Sequence, residues 1–172
     1  MSGANTMAQR TIDMQYVLDR TAIHEVLVRY YQGLDRGEPD QVRSCFTADV
    51  KAYYDGRDPI AGIDAMMNSL NTFTRLASGE LKATTHFMGN LNINFLEGDV
   101  AETETYAIAY LAQPGKPADR IVMRSLRYLD RLRRESGGWR ISERRHTLDW
   151  SCEALATFAA TLAQRITAWP KA

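Results

Sequence analysis

Apolar positions recur early in the chain at helical spacing. Ile23, Val26, Leu27, Tyr30 and Leu34 stand at i, i+3, i+4, i+7 and i+11, the stripe of an amphipathic helix. Asp19 or Thr21 is placed to cap its start, and His24, Glu25 and Arg29 take the polar face. Gly33 and Gly37 loosen its end, with Asp35 just past it. Pro39 suits the first position of a second, short helix through Phe46. Val50 to Tyr54 reads as a strand ended by the Asp55-Gly56 turn. A third helix is expected from about Asp64 to Leu76, with Met66, Met67, Leu70 and Phe73 on or near one face and Ser78-Gly79 closing it.

From Lys82 the pattern changes. Four strand-like segments, about 82–96, 99–112, 119–134 and 138–150, are separated by Glu97-Gly98-Asp99, Pro114-Gly115-Lys116-Pro117 and Ser136-Gly137-Gly138. Long strands with such short connections pair antiparallel as a meander. Alternation breaks in two places. Trp139 and Ile141 share one parity, Leu148 and Trp150 the other, so a bulge near Ser142-Glu143 would bring all four to one face with Arg144 and His146. Gly89 marks a second bulge between His86 and the Leu91, Ile93, Phe95 face. Leu155, Phe158, Leu162 and Ile166 then predict a closing amphipathic helix over 152–168.

Helices first and an antiparallel sheet afterwards define an α+β domain. A curved, mixed or antiparallel sheet wraps on three N-terminal helices and leaves a cone with an open mouth, and an extra helix follows at the C-terminus. The expected division is a disordered tail over residues 1–11, the α+β domain over 12–150, and a helix over 151–172 packing on the domain or in an oligomer interface.

Composition narrows the function. Twenty-one basic residues balance 21 acidic ones, which removes the electrostatic footprint of a nucleic-acid binder. Apolar residues at 45% and charged residues at 24% are ordinary globular values. The two cysteines have no metal-type spacing and form no disulfide framework. Cys45 is expected to be a small core residue. The first ten residues lack the apolar run of a signal peptide, and no stretch has membrane-spanning length, so a cytoplasmic protein without membrane partners is expected.

The chemistry-bearing residues fall around Lys82–Phe95. His86 opens a strand, Asp35 follows the first helix, and Arg144 and His146 stand near the end of the last strand. A neutral imidazole, with an ordinary pKa of roughly 6.5, abstracts a proton near neutral pH. A carboxylate beside it orients the ring and favours the imidazolium that forms. Tyr54 or Tyr30 could donate a hydrogen bond to a carbonyl or leaving oxygen, and Arg144 could stabilise an oxyanion or enolate. The bland alternatives are a turn-capping Asp35, a core His86, a packing Tyr30, and Arg144 and His146 facing water. There is no Gly-rich phosphate cradle, metal-ligand cluster or serine nucleophile motif.

The run GLDRGEPDQVRSCF, TTHFMGN, RYLDRL and GGWRISERRHTLDW, spanning about Thr21 to Trp150, resembles the SnoaL-like family of the nuclear-transport-factor-2-like superfamily. In pattern it is similar to scytalone dehydratase, the lindane dehydrochlorinase and bile-acid 7α-dehydratase. The resemblance implies the cone-shaped, cystatin-like α+β fold and a catalytic pair of His86 and Asp35. It also implies a pocket arginine at Arg144 and a strand-one tyrosine at Tyr54. Departures are Tyr30 where the dehydrochlorinase has a lysine, Leu34 where scytalone dehydratase has a tyrosine, and no second pocket histidine near Tyr106 and Ala107. The implied function is a cofactor-independent, metal-free lyase of dehydratase type, acting on an apolar cyclic or aromatic small molecule. The same pair could serve an isomerase or a polyketide-cyclase-type enzyme. A non-catalytic reading is a small-molecule binder or a scaffold related to the β-subunits of ring-hydroxylating dioxygenases. A homo-oligomer, trimer or dimer, is expected.

Overall fold

A computed structural model describes residues 12–54 and 56–166. The expected tail at 1–11 and the end of the expected last helix, 167–172, lie outside the described residues. The first helix, α1 (Met14–Arg36), begins earlier than the apolar stripe suggests. Asp13 caps it, accepting from the Tyr16 backbone N–H at 2.8 Å. Asp19 is therefore no cap. It lies on the buried face, accepting hydrogen bonds from Arg134 at 2.7 Å and the Trp139 indole N–H at 3.3 Å. These bonds tie the start of α1 to the sheet and, despite the cost of burial, hold the Asp19 carboxyl below the usual range. His24 sits in solvent near Glu25.

Gly37 ends α1 in the left-handed region, φ 69°, and the next N–H, of Glu38, returns to the Gly33 carbonyl at 2.8 Å. This reversal lays α2 (Pro39–Arg43) against the last turns of α1. Close approach explains Gly33: a Cβ there would stand 2.7 Å from Val42 Cγ2 and 3.3 Å from the Glu38 carbonyl oxygen. Gly33→Ala is expected to cost a net ~1–2 kcal/mol, since overpacking outweighs the ~1 kcal/mol gain in helix propensity. Urea unfolding measures it, and an unchanged midpoint would mean that α2 gives way freely.

The chain continues through β1 (Phe46–Tyr54), a two-residue β2 (Ile60–Ala61), α3 (Ile63–Ser69) and α4 (Thr72–Ser78). The single third helix expected over 64–76 is thus two. At Leu70 the backbone leaves helical geometry, φ −83° and ψ 86°, and the chain restarts at Thr72. Four long strands follow: β3 (Ala83–Glu97), β4 (Val100–Gln113), β5 (Asp119–Glu135) and β6 (Gly138–Ala156). They form one six-stranded sheet in the order β2-β1-β6-β5-β4-β3, with β1 parallel to β6 and the other pairs antiparallel. The α+β class with a curved mixed sheet is as the sequence implies.

Both expected bulges are present. Ile141 and Glu143 pair with the adjacent residues Leu132 and Arg131, leaving Ser142 as the extra residue. Met88 and Leu91 face Ala107 and Thr105, so Gly89 and Asn90 oppose one residue of β4. The first bulge turns Trp139, Ile141, Arg144 and His146 all inward, where each is at most 8% exposed. A further register shift near Asp149 moves Trp150 to the outer face, opposite Ser125, whereas Leu148 stays opposite Leu126 on the inner face; both side chains are exposed. The expected C-terminal helix is absent among the described residues. Ser151 to Ala156 extend β6 and pair with Asp119–Arg124, followed by a single 3-10 turn at Leu162–Gln164. Leu155, Phe158 and Ile166 are exposed.

The core lies between α1 and the concave face of the sheet. Ile23, Val26, Leu27, Tyr30 and Leu34 pack on Leu126, Tyr128, Leu132, Trp139 and Ile141, each large apolar side chain contributing roughly 1.5–3 kcal/mol. Cys45 is buried as expected, though in the turn before β1 rather than in a helix.

Candidate active site

Asp35 belongs to the last turn of α1 rather than to the loop beyond it, which points its carboxylate at the edge strand β3. Backbone N–H groups along a sheet edge lack ladder partners, and Asp35 takes one of them. Its Oδ2 accepts from the His86 backbone N–H at 2.7 Å. Oδ1 accepts from the Thr84 hydroxyl at 2.9 Å and lies 2.7 Å from His86 Nδ1. Burial alone would raise this carboxyl, but the bonds from His86 and Thr84 outweigh it and hold Asp35 below its ordinary value. Asp35 is therefore ionised and acts as acceptor toward Nδ1, which leaves His86 Nε2 as the basic nitrogen. The two side chains are 8% (His86) and 15% (Asp35) exposed. Tyr31 stacks on the imidazole at 5.6 Å and fixes its plane.

A residue with no sequence signal braces the pair from outside. Arg165, beyond the Leu162–Gln164 turn, donates through one guanidinium nitrogen to the carbonyl oxygens of Asp35, at 3.3 Å, and Thr84, at 2.5 Å. Leu162 N–H donates to the Lys82 carbonyl at 2.6 Å. The segment read as a helix thus works as a strap joining the end of α1 to the start of β3.

His86 lines a cavity of about 180 Å³ bounded by Tyr30, Leu34, Tyr54, Leu126, Tyr128 and His146. An apolar cavity of ~150 Å³ holds a benzene ring, so this space suits one ring with substituents. Tyr54 and Tyr128 flank His146, with ring centroids 5.1 and 5.0 Å from its own. Burial pushes the phenols of Tyr30, Tyr54 and Tyr128 above their usual value, and the positive charge of Arg144 offsets only part of it. All three are hydrogen-bond donors at any working pH.

Of the sequence-derived site residues, His86, Tyr30, Tyr54 and His146 share this cavity, and Asp35 stands behind His86. Arg144 does not. It is fully buried beneath the cavity floor and does not line it. Its Nε and Nη2 are held by the two oxygens of Asp130 at 2.8 and 2.7 Å. The Tyr30 and Tyr128 rings cover the guanidinium at 4.1 and 4.6 Å. An oxyanion-binding role by direct contact is therefore corrected: Asp130 neutralises this cation, and Arg144 supports the tyrosines. Another concavity, about 290 Å³ on the opposite side of the sheet, is lined by the paired charges Glu102, Arg131, Glu143 and Arg145 and holds no histidine. No helix among the described residues is long and apolar enough to cross a membrane.

Residues 15–145 match the SnoaL-like domain family. No curated protein matches the sequence. Among solved structures, a candidate scytalone dehydratase from Novosphingobium aromaticivorans superposes with a TM-score of 0.69 at 19% identity, over 87% of this chain and 97% of that one. The type-3 hexachlorocyclohexane dehydrochlorinase LinA of Novosphingobium barchaimii gives 0.68 at 16% identity, over 86% and 97%. A protein of nuclear-transport-factor-2 type with a cystatin-like fold, also from N. aromaticivorans, gives 0.61 at 20%, over 81% and 92%. At these identities the structural likeness establishes the fold, and the family match covers most of the chain. This protein belongs to the SnoaL-like domain family.

Proposed function

We propose that the protein is a cofactor-independent lyase of dehydratase type, with His86 as general base and Asp35 as its orienting carboxylate. The 2.7 Å contact between His86 Nδ1 and Asp35 Oδ1, at the wall of a sheltered cavity, carries this reading. The carboxylate holds the ring proton on Nδ1, so Nε2 presents its lone pair to the cavity and removes a proton next to a substrate carbonyl. Charge that develops on the carbonyl oxygen is met by a phenol O–H, from Tyr54 or Tyr30. The C–O bond to a β-hydroxyl then breaks. The proton held by the imidazolium, relayed through His146 where the hydroxyl lies on that side, leaves with it as water, and His86 returns to neutral. Self-association, as a dimer or trimer, belongs to the same proposal. Exposed Phe87, Trp150 and Leu155 offer apolar surface for it.

The test uses small cyclic ketones bearing a β-hydroxyl, incubated with the protein in D₂O and followed by NMR. Wild type is expected to incorporate deuterium next to the carbonyl and to release water, and His86→Gln to do neither. Deuterium incorporation without water loss would favour an isomerase or cyclase working through the same enolate. Identical behaviour of wild type and His86→Gln, or no exchange with any ketone, would remove the catalytic reading and leave a binding protein or scaffold.

A further inference from the structure

Three guanidinium groups, Arg57, Arg75 and Arg124, stand around the cavity, and among the described residues no aspartate or glutamate lines it. Arg124 is the informative one. Its neighbours along β5 are all neutralised within the protein. Arg120 pairs with Glu153 at 3.4 Å, Arg127 with Asp149 at 3.5 Å, and Arg131 with Glu102 at 2.6 Å. Arg133 pairs with Asp49 at 2.9 Å and Arg134 with Asp19 at 2.7 Å. Among the described residues Arg124, which turns inward with Leu126 and Tyr128, has no carboxylate within ion-pair distance; Arg57 likewise has none. Arg75 reaches only the exposed Glu80, at 3.5 Å.

Strand register places Arg124 relative to the base. His86 pairs with Ala109 across β3 and β4, and Ala109 pairs with Arg124 across β4 and β5. Base and cation therefore occupy one row on one face, two strands and ~10 Å apart between backbones, with only the Ala109 methyl between them. A neutral apolar molecule filling that gap would strip water from the guanidinium and leave its donors unpaired, which is costly. A carboxylate meets them with the two-oxygen fork that arginine matches better than any other side chain.

We propose that Arg124, with Arg57 and Arg75 at the rim, binds a carboxylate carried by the substrate, which is therefore a cyclic carboxylic acid with an apolar ring. This rests on the reading of His86 as the base and changes the substrate class implied by the sequence, from an apolar ring to an amphipathic acid. The ring lies over Tyr30, Leu126 and Tyr128, with its acidic C–H toward His86 and its carboxylate toward Arg124.

Binding of cyclohexanecarboxylate, benzoate and their methyl esters, followed by NMR titration of the labelled full-length protein, tests it. The acids are expected to bind at least ten-fold tighter than the esters. Arg124→Gln is expected to weaken the acids at least ten-fold and to leave the esters unchanged, while Arg124→Lys falls between. Equal or tighter ester binding, no binding of either form, or an acid preference that survives Arg124→Gln overturns the proposal. So does inorganic phosphate binding as tightly as the acids. His86→Gln separates the two ideas. An acid preference kept in that variant supports the carboxylate site even if no ketone is turned over, and exchange in D₂O without any acid preference defeats this inference alone.

Discussion

Asp130→Ala is expected to destabilise the fold by about 3–5 kcal/mol, because it strands a fully buried guanidinium without its counter-charge. Arg144 is 0% and Asp130 2% exposed, so water cannot replace the lost oxygens. Burial works against the Arg144 charge, and the carboxylate of Asp130 more than offsets it, which keeps the group ionised. The ring faces of Tyr30, Tyr128 and Phe46, at 4.1, 4.6 and 5.3 Å, complete the cage, and among the described residues Asp130 is the one carboxylate paired with Arg144. Urea and thermal unfolding measure the loss. Asp130→Leu with Arg144→Met should recover most of it, since paired removal leaves no buried charge. A single-variant loss below about 1 kcal/mol would mean that solvent reaches Arg144 and that the cage is open.

The same cluster shows what alternation along a strand can and cannot reveal. Leu126, Tyr128 and Leu132 mark the inward parity of β5, and Asp130 shares it. A carboxylate in an apolar row is a signal for a buried ionic partner, and it was there to be read. Arg124 shares that parity too. Arg144 was rightly turned inward by the bulge at Ser142, but parity says nothing about depth, and depth decided that it meets Asp130 instead of substrate. The pairing of Asp35 with His86 depended on a helix end meeting a sheet edge, a contact between positions 51 apart. No spacing rule predicts it, and the family resemblance supplied it.

The C-terminal stretch went the other way. Leu155, Phe158, Leu162 and Ile166 have helical period, yet Leu155, Phe158 and Ile166 are 72, 78 and 94% exposed, so that period has no buried face to serve. The neighbouring strand β5 extends to Asp119 and offers unpaired backbone to Ser151–Ala156. Ladder hydrogen bonds there override the helix preference of an alanine-rich segment. The strap that follows, with Arg165 on the carbonyls of Asp35 and Thr84, depends on that extension to bring the chain back to the site.

On the proposed reading, His86→Ala should lower turnover by about 10²–10⁴-fold, the usual contribution of a positioned base. Asp35→Asn should fall in a similar range for a different reason. An amide can donate to Nδ1, which would move the ring proton to Nε2 and turn the base into a donor facing the cavity. The pH dependence of stability in Asp35→Asn separates orientation from simple damage. The Asp35 carboxyl is depressed in the folded protein. Its contribution is therefore fully present above the unfolded value of about 3.9 and is lost as pH falls through the folded value. The stability gap between wild type and Asp35→Asn should begin to shrink as pH falls below about 4 and should close once the pH is below the folded value. Urea midpoints across that range measure it, alongside the D₂O exchange rate at pH 7. A gap that persists unchanged into strong acid would show that the ionised carboxylate does not hold His86, and with it the assignment of Nε2 as the base would fall.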